Sequence, residues 1–291
     1  MLYNVVIRED DIMKEQTYVI QDIKDFNLKD IFECGQCFRW NEQEDGSYTG
    51  VIKDAVINVK QNPNEIIFSG ICKGKKLKEI VDYYFDINRD YSKIKNELSQ
   101  IDANLEKSIK FGSGIRILNQ DLWETIISFI ISANNNIPRI KGIIERLSKN
   151  YGEEIIWNEK KYYTFPTAKQ LENVSVEDYR KLGLGFRDIR LYETTKMILN
   201  KEIDLEKLEK EDTATVREEL LKLSGVGPKV ADCILLFSTL KRFEVFPIDV
   251  WVRRVMNELY IKNEDENKVS KKQIMEIANK KFGNMAGLAQ Q

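Results

Sequence analysis

The sequence predicts an α+β chain: an N-terminal antiparallel β-sheet domain followed by a mostly α-helical region. Three observations lead there. Between residues 37 and 70, four short runs rich in β-branched and aromatic residues alternate with turn signals. From about residue 93 the pattern changes to helices with short connections. At 291 residues the chain has the length of about two domains, at roughly 150 residues each.

Taken in order, CFRW (37–40), SYTGVI (47–52), AVINVK (55–60) and EIIFSG (65–70) read as strands. NEQEDG (41–46), KD (53–54) and QNPN (61–64) read as the turns between them. Such a meander has one face to cover, and the helical pattern KLKEIVDYYF (76–85) supplies the cover. DLWETIISFIISA (121–133) is so apolar that it predicts a helix inside the core. PRIKGIIERLSKNYG (138–152) starts with Pro and ends with Gly, the expected polarity of helix signals. TAKQLENV (167–174) and SVEDYRKLG (175–183) read as short helices, the second stopping at Gly183. Helical patterns follow at 187–200, 215–223, 229–240 and 248–260, without tandem repeats or low-complexity tracts. The expected division is a sheet domain with its covering helix over 1–110 and an all-α region over 111–291.

Composition removes several mechanisms. There is no histidine, which excludes His-based triads, His general bases and His-ligated metals. Of the four cysteines, only Cys34 and Cys37 are closely spaced, and no second pair follows to complete a zinc ribbon. They read as reduced, mostly buried thiols, and no metal is expected in the chemistry. The first residues, MLYNVVIREDD, lack the cationic start and apolar run of a secretory leader. No stretch approaches the roughly 20 apolar residues of a membrane span. The expected location is therefore the cytoplasm, with no membrane partner. A net charge of −2 argues mildly against a nucleic-acid partner. Local fields matter more than the sum: Arg139 to Lys149 carries four basic residues and one acid, while NEDEN (263–267) gathers acids elsewhere.

The most informative stretch is LLKLSGVGPKVADCILLFSTL, from Leu220 to Leu240. One helix ends at Leu223, Ser224-Gly225-Val226-Gly227 cannot continue it comfortably, and Pro228 suits the first turn of the next. The result is a helix–hairpin–helix unit over about 213–240. Its glycines permit positive φ and close approach. Free amides at the new helix start make an anion site suited to a phosphate. Lys229 sits in that first turn, where a cation opposes the helix dipole. Cys233 lies one turn on, along the same face. Twenty residues past Lys229, FPIDVWVRRV places Asp249 after an extended Phe-Pro-Ile and before a helix, the position of an N-cap.

At this point the sequence resembles a family. LSGVGPKVADC followed by FPIDVW is similar to the helix–hairpin–helix DNA glycosylases, in which a lysine at the first turn of the second helix marks the bifunctional members. CGQCFRW (34–40), SANNNIPRI (132–140), KLGLGFRDI (181–189) and AGLAQ (286–290) resemble segments of 8-oxoguanine DNA glycosylase/lyases. The five motifs occur in the family's order, from about residue 17 onward.

The resemblance implies a monomeric enzyme that acts on double-stranded DNA containing 8-oxoguanine. Lys229 would attack the sugar C1′ and form a Schiff base, and Asp249 would stabilise the developing positive charge. Gly35 would offer its carbonyl to the N7 hydrogen of the oxidised base, Gln290 would meet the pairing edge, and Cys233 would line the pocket. Asn134, Arg139 and Arg187 would read the orphaned cytosine, and Phe186 would wedge into the stack. Leu223, Gly225, Val226 and Gly227 would hold a phosphate, with a monovalent ion as the only ion implied. Phe186 stands where the family often has tyrosine, and Trp251 where many members have histidine. An apolar helix beyond the glutamine, carrying a pocket aromatic, is a further expectation; the sequence given ends at Gln291. Two other readings remain open on the residues alone: a monofunctional glycosylase for another damaged purine, and a non-catalytic hairpin module that only binds DNA.

Overall fold

The computed structural model of the chain describes residues 14–291; residues 1–13 of the expected N-terminal unit lie outside the described range. The chain opens with β1 (Lys14–Gln21), α1 (Leu28–Glu33), β2 (Trp40–Glu42), β3 (Tyr48–Ile52), β4 (Ala55–Asn62), β5 (Glu65–Cys72) and α2 (Leu77–Tyr84). The strands pair antiparallel in the order β1-β5-β4-β3-β2. The turns read from sequence close the β3–β4 and β4–β5 hairpins, with Ile52 opposite Ala55 and Asn62 opposite Glu65. Strand alternation sends Tyr48, Ile57, Val59, Ile66 and Phe68 to one face, where α1 and α2 cover them with Ile31, Phe32, Leu77 and Val81.

Several expectations are corrected here. β1 is an additional strand, hidden because most of its exposed positions are polar. CFRW contributes only Trp40 to a strand, because Phe38 leaves the sheet to join the helical core. The sheet's second face is covered too. Val51, Val56 and Ile71 pack against Ile155 and Trp157 of a hairpin formed by β6 (Glu154–Trp157) and β7 (Lys160–Tyr163). The region from 111 onward is therefore not all-α.

The helices are α3 (Tyr91–Ser99), α4 (Ala103–Phe111), α5 (Leu122–Ser132), α6 (Ile137–Tyr151), α7 (Val176–Lys181), α8 (Asp188–Leu199), α9 (Leu205–Leu208), α10 (Thr213–Lys222), α11 (Pro228–Phe237), α12 (Val250–Met256), α13 (Lys271–Phe282) and α14 (Ala286–Gln290). α5 starts on the Asp121 side chain, which accepts from Glu124 N at 3.0 Å. It buries Ile126, Ile127, Phe129, Ile130 and Ile131 and packs against α6, α8 and α11. TAKQLENV is not a helix: Gln170 Oε1 turns back to accept from Thr167 N at 2.8 Å, holding a local turn. α4, inside the expected sheet domain, packs through Leu105 with Phe246, Ile248, Met256 and Ile274 at the other end of the chain. Among the described residues no helix is long and apolar enough to cross a membrane.

Candidate active site

α10 ends at Leu223, whose backbone is extended at ψ 137°. The chain then turns through Gly225 at φ +85°, and Gly227 caps α11 with Pro228 at its first position. Val226 N donates to Leu223 O at 3.1 Å, closing the hairpin. Gly225 has a second reason to lack a side chain. A Cβ there would stand 2.7 Å from Arg190 Cδ. Gly227 is exposed with open space before it. The first N–H groups of α11 therefore face outward without helical acceptors.

Lys229 follows one residue into α11 and is half-buried. Its Nζ lies 5.6 Å from the centre of the Phe129 ring. Phe129 in turn stacks on Phe237 and meets Phe38 edge-on, so an aromatic layer supports the lysine. Cys233, one turn on, is 3% exposed. Burial pushes its thiol up to about 11, opposed by the charge and hydrogen bond of Lys229, with Asp249 adding a small upward push. Lys229 and Cys233 thus share one face of α11. A thiol held protonated at neutral pH is a poor nucleophile.

Asp249 is the N-cap of α12, as its position in the sequence predicts: its Oδ1 accepts from Val252 N at 2.8 Å. The carboxylate is exposed and fixed by the cap. Trp251, two residues on, is 70% exposed, with the Arg254 guanidinium 5.1 Å from its ring.

Gly35 adopts φ +85° on a half-buried loop after α1, a conformation that a side chain would strain. Gln36 is fully buried and holds that loop in place. Its amide donates to Ile31 O and Arg116 O, each at 2.8 Å, and accepts from Leu118 N at 2.9 Å. Gln290 lies at the end of α14, which docks on the core through Gly287 N to Phe243 O at 2.7 Å. The Gln290 Oε1 is buried without a hydrogen-bond partner, an acceptor left open.

The remaining candidates gather at the far ends of α5 and α7. Asn134 is exposed, at φ +51°. Arg139 follows the Asn136 cap of α6 and donates to Gly183 O at 3.2 Å. Phe186 is 55% exposed on a tight turn, Gly185–Arg187. Arg187 is anchored on the backbone. Its side chain is 1% exposed and donates to Ala133 O at 2.9 Å, Asn134 O at 2.7 Å and Leu184 O at 3.2 Å. Three backbone carbonyls accept from the guanidinium, which ties it to the Ala133–Asn134 backbone. Burial, then the charges of Arg139 and Arg190, lower its pKa. Arg190, in the first turn of α8, was not singled out by the sequence.

Residues 18–126 match the family described as 8-oxoguanine DNA glycosylase, N-terminal domain, and residues 127–282 match the HhH-GPD superfamily of base excision DNA repair proteins. The chain is 34% identical over 236 residues to a probable N-glycosylase/DNA lyase of Methanothermobacter thermautotrophicus, covering 74% of this chain and 73% of that protein. It is 33% identical over 259 residues to the N-glycosylase/DNA lyase of Saccharomyces cerevisiae, covering 80% and 68%. The apo structure of the 8-oxoguanine glycosylase/lyase of Clostridium acetobutylicum superposes with a TM-score of 0.88 at 41% identity, covering 96% of both chains. The same protein bound to duplex DNA with cytosine opposite 8-oxoguanine gives a TM-score of 0.87 at 41% identity, covering 96% of this chain and 95% of that one.

Proposed function

The chain belongs to the HhH-GPD superfamily of base excision DNA repair proteins and carries the N-terminal domain of 8-oxoguanine DNA glycosylases, and from that membership we infer a bifunctional DNA glycosylase and abasic-site lyase that excises 8-oxoguanine from duplex DNA. The observation that carries the residue assignments is the placement of Lys229 in the first turn of α11, over the Phe129 ring, with Cys233 one turn on along that helix and Asp249 held as the cap of α12.

The target nucleotide must leave the helix before a lysine can reach its C1′. We propose that Phe186 fills the gap it leaves, while the outward amides at Gly227 and the start of α11 hold a backbone phosphate. The Lys229 amine attacks C1′ as the glycosidic bond breaks; the base departs with the bonding electrons and takes up the proton that the alkylated amine gives away. Asp249, fixed by its cap, stabilises the positive charge that develops on the sugar. The sugar ring opens to an imine on Lys229. Loss of a proton from C2′ then expels the 3′ phosphate and nicks the strand. The Gly35 carbonyl and the open Gln290 Oε1 suit the edge of the oxidised base. Arg139 and Asn134 face the opposite cytosine, with Arg187 holding Asn134 in place.

If a monovalent cation binds the hairpin, the backbone carbonyls of Leu223, Gly225 and Val226 would hold it, and it would add positive charge beside the phosphate. The direct test of the function is incubation with a labelled duplex containing one 8-oxoguanine opposite cytosine. Release of the free base together with a strand nick supports it. An intact duplex at enzyme excess contradicts it.

A further inference from the structure

Arg190 joins the two surfaces that the mechanism uses separately. It lies on α8, four residues after Phe186 and far along the chain from the hairpin. Its stem runs against Gly225, where the glycine leaves room for Arg190 Cδ, Cγ and Cβ at 2.7, 3.3 and 3.2 Å from the place a Cβ would occupy. Its guanidinium carbon lies 4.9 Å from the centre of the Phe186 ring. The Arg187 guanidinium approaches the same ring at 4.3 Å. Arg139, Arg187 and Arg190 form a cationic group around the wedge, and among the described residues no carboxylate forms an ion pair with any of them. The nearest acid in sequence, Asp188, is engaged by Arg180 at 2.7 Å.

We propose that Arg190 is a positioning residue that fixes the wedge Phe186 relative to the phosphate-holding hairpin at Gly225, so that gripping the backbone sets the wedge for insertion. This rests on the functional reading above, because it assigns Phe186 and Gly225 their roles in base extrusion. The long stem explains why glycine is required at 225, beyond its positive φ. The planar cation explains how an exposed phenylalanine without a hydroxyl keeps a defined pose.

The test uses the full chain and its Arg190→Met, Phe186→Ala and double variants. Arg190→Met keeps an apolar stem on Gly225 and removes the cation. Wedge insertion is read as the fluorescence of 2-aminopurine placed beside an 8-oxoguanine opposite cytosine. Lyase activity on a single-stranded abasic oligonucleotide serves as a control, since it needs no base extrusion. Arg190→Met should lower the 2-aminopurine signal and slow duplex excision about three- to tenfold, the range of an ordinary cation–π contact. It should leave single-stranded lyase activity unchanged and add nothing to Phe186→Ala, because the two residues act as one unit. Normal 2-aminopurine signal in Arg190→Met, additive losses in the double variant, or an equal loss on the single strand each overturns the proposal. Failure of the functional reading is distinct: the unsubstituted chain would then release no 8-oxoguanine, whatever Arg190 does to the fluorescence.

Discussion

Gln120 donates from one buried amide to the carbonyl of Gln36 at 2.6 Å and to that of Phe237 at 2.9 Å. Gln36 follows Gly35, and Phe237 ends the helix that begins at Lys229. One side chain therefore ties the loop proposed to recognise the lesion to the helix proposed to attack it. The sequence separations, 84 and 117 residues, place both bonds beyond the reach of local pattern. Gln120→Ala strips a donor from two buried carbonyls, each worth about 1–3 kcal/mol when left unsatisfied. The urea midpoint should fall, with a loss of stability on the order of 2–4 kcal/mol. Excision should also slow at temperatures where the variant remains folded. An unchanged midpoint would show that the tie carries no stability.

Glu124 predicts a pH dependence. Burial pushes its carboxyl up to about 7, although Arg39 at 3.7 Å opposes the shift. Between pH 4.5 and 7 the folded state thus holds a proton that the unfolded state has lost. Stability contributed by this group is present at low pH and declines as pH rises through that window. The difference between the unsubstituted chain and Glu124→Gln, measured by thermal melts from pH 4.5 to 8, should turn against the unsubstituted chain as pH rises. The gap should reach up to about 3 kcal/mol for a shift of this size. A pH-independent difference contradicts the burial argument.

Asp249→Asn separates the cap from the charge. Asn and Asp cap helices about equally well, so the bond to Val252 N survives and melting should change little. Excision should fall by about 10²–10³-fold, as when one preorganised electrostatic contact is removed from a transition state. Full activity in Asp249→Asn would leave it a structural cap.

Phe186 sets the stringency opposite the lesion. The wedge lacks the phenolic hydroxyl that the resembling family often has there. Phe186→Tyr restores one hydrogen bond, worth about 0.5–1.5 kcal/mol. Single-turnover excision opposite each of the four bases should favour cytosine in the unsubstituted chain, and more strongly, by up to about tenfold, in the tyrosine variant. No gain in preference would place the source of stringency elsewhere, with Arg139 and Asn134 the next residues to alter.

The parts legible in the sequence are those written in local code. Gly225, Gly227 and Pro228 punctuate the hairpin where the helices break, Asp249 caps α12, and the spacing of Lys229 and Cys233 puts both on one face. What was not legible depends on distant partners. On the sequence alone Gln36 and Arg39 could simply be polar strand residues, whereas both are buried. Arg39 reaches Glu124 and the Tyr163 carbonyl across the chain. The Ala133 and Asn134 carbonyls that hold Arg187 lie 54 and 53 residues away in the chain. The hairpin of β6 and β7 went unread because its purpose, covering Val51, Val56 and Ile71, lies a hundred residues away in the sheet. In each case tertiary burial decides the conformation and local propensity does not.

Covalent trapping bears most directly on the assignment of Lys229. Borohydride reduces the imine between a lysine and an opened sugar, fixing enzyme to DNA at the lesion. With a duplex containing 8-oxoguanine opposite cytosine, the unsubstituted chain should give a stable cross-linked species. Lys229→Gln should give none while still binding the duplex, since the hairpin backbone is untouched. A trapped complex with Lys229→Gln, or none with the unsubstituted chain under conditions where free base is released, would contradict attack by Lys229.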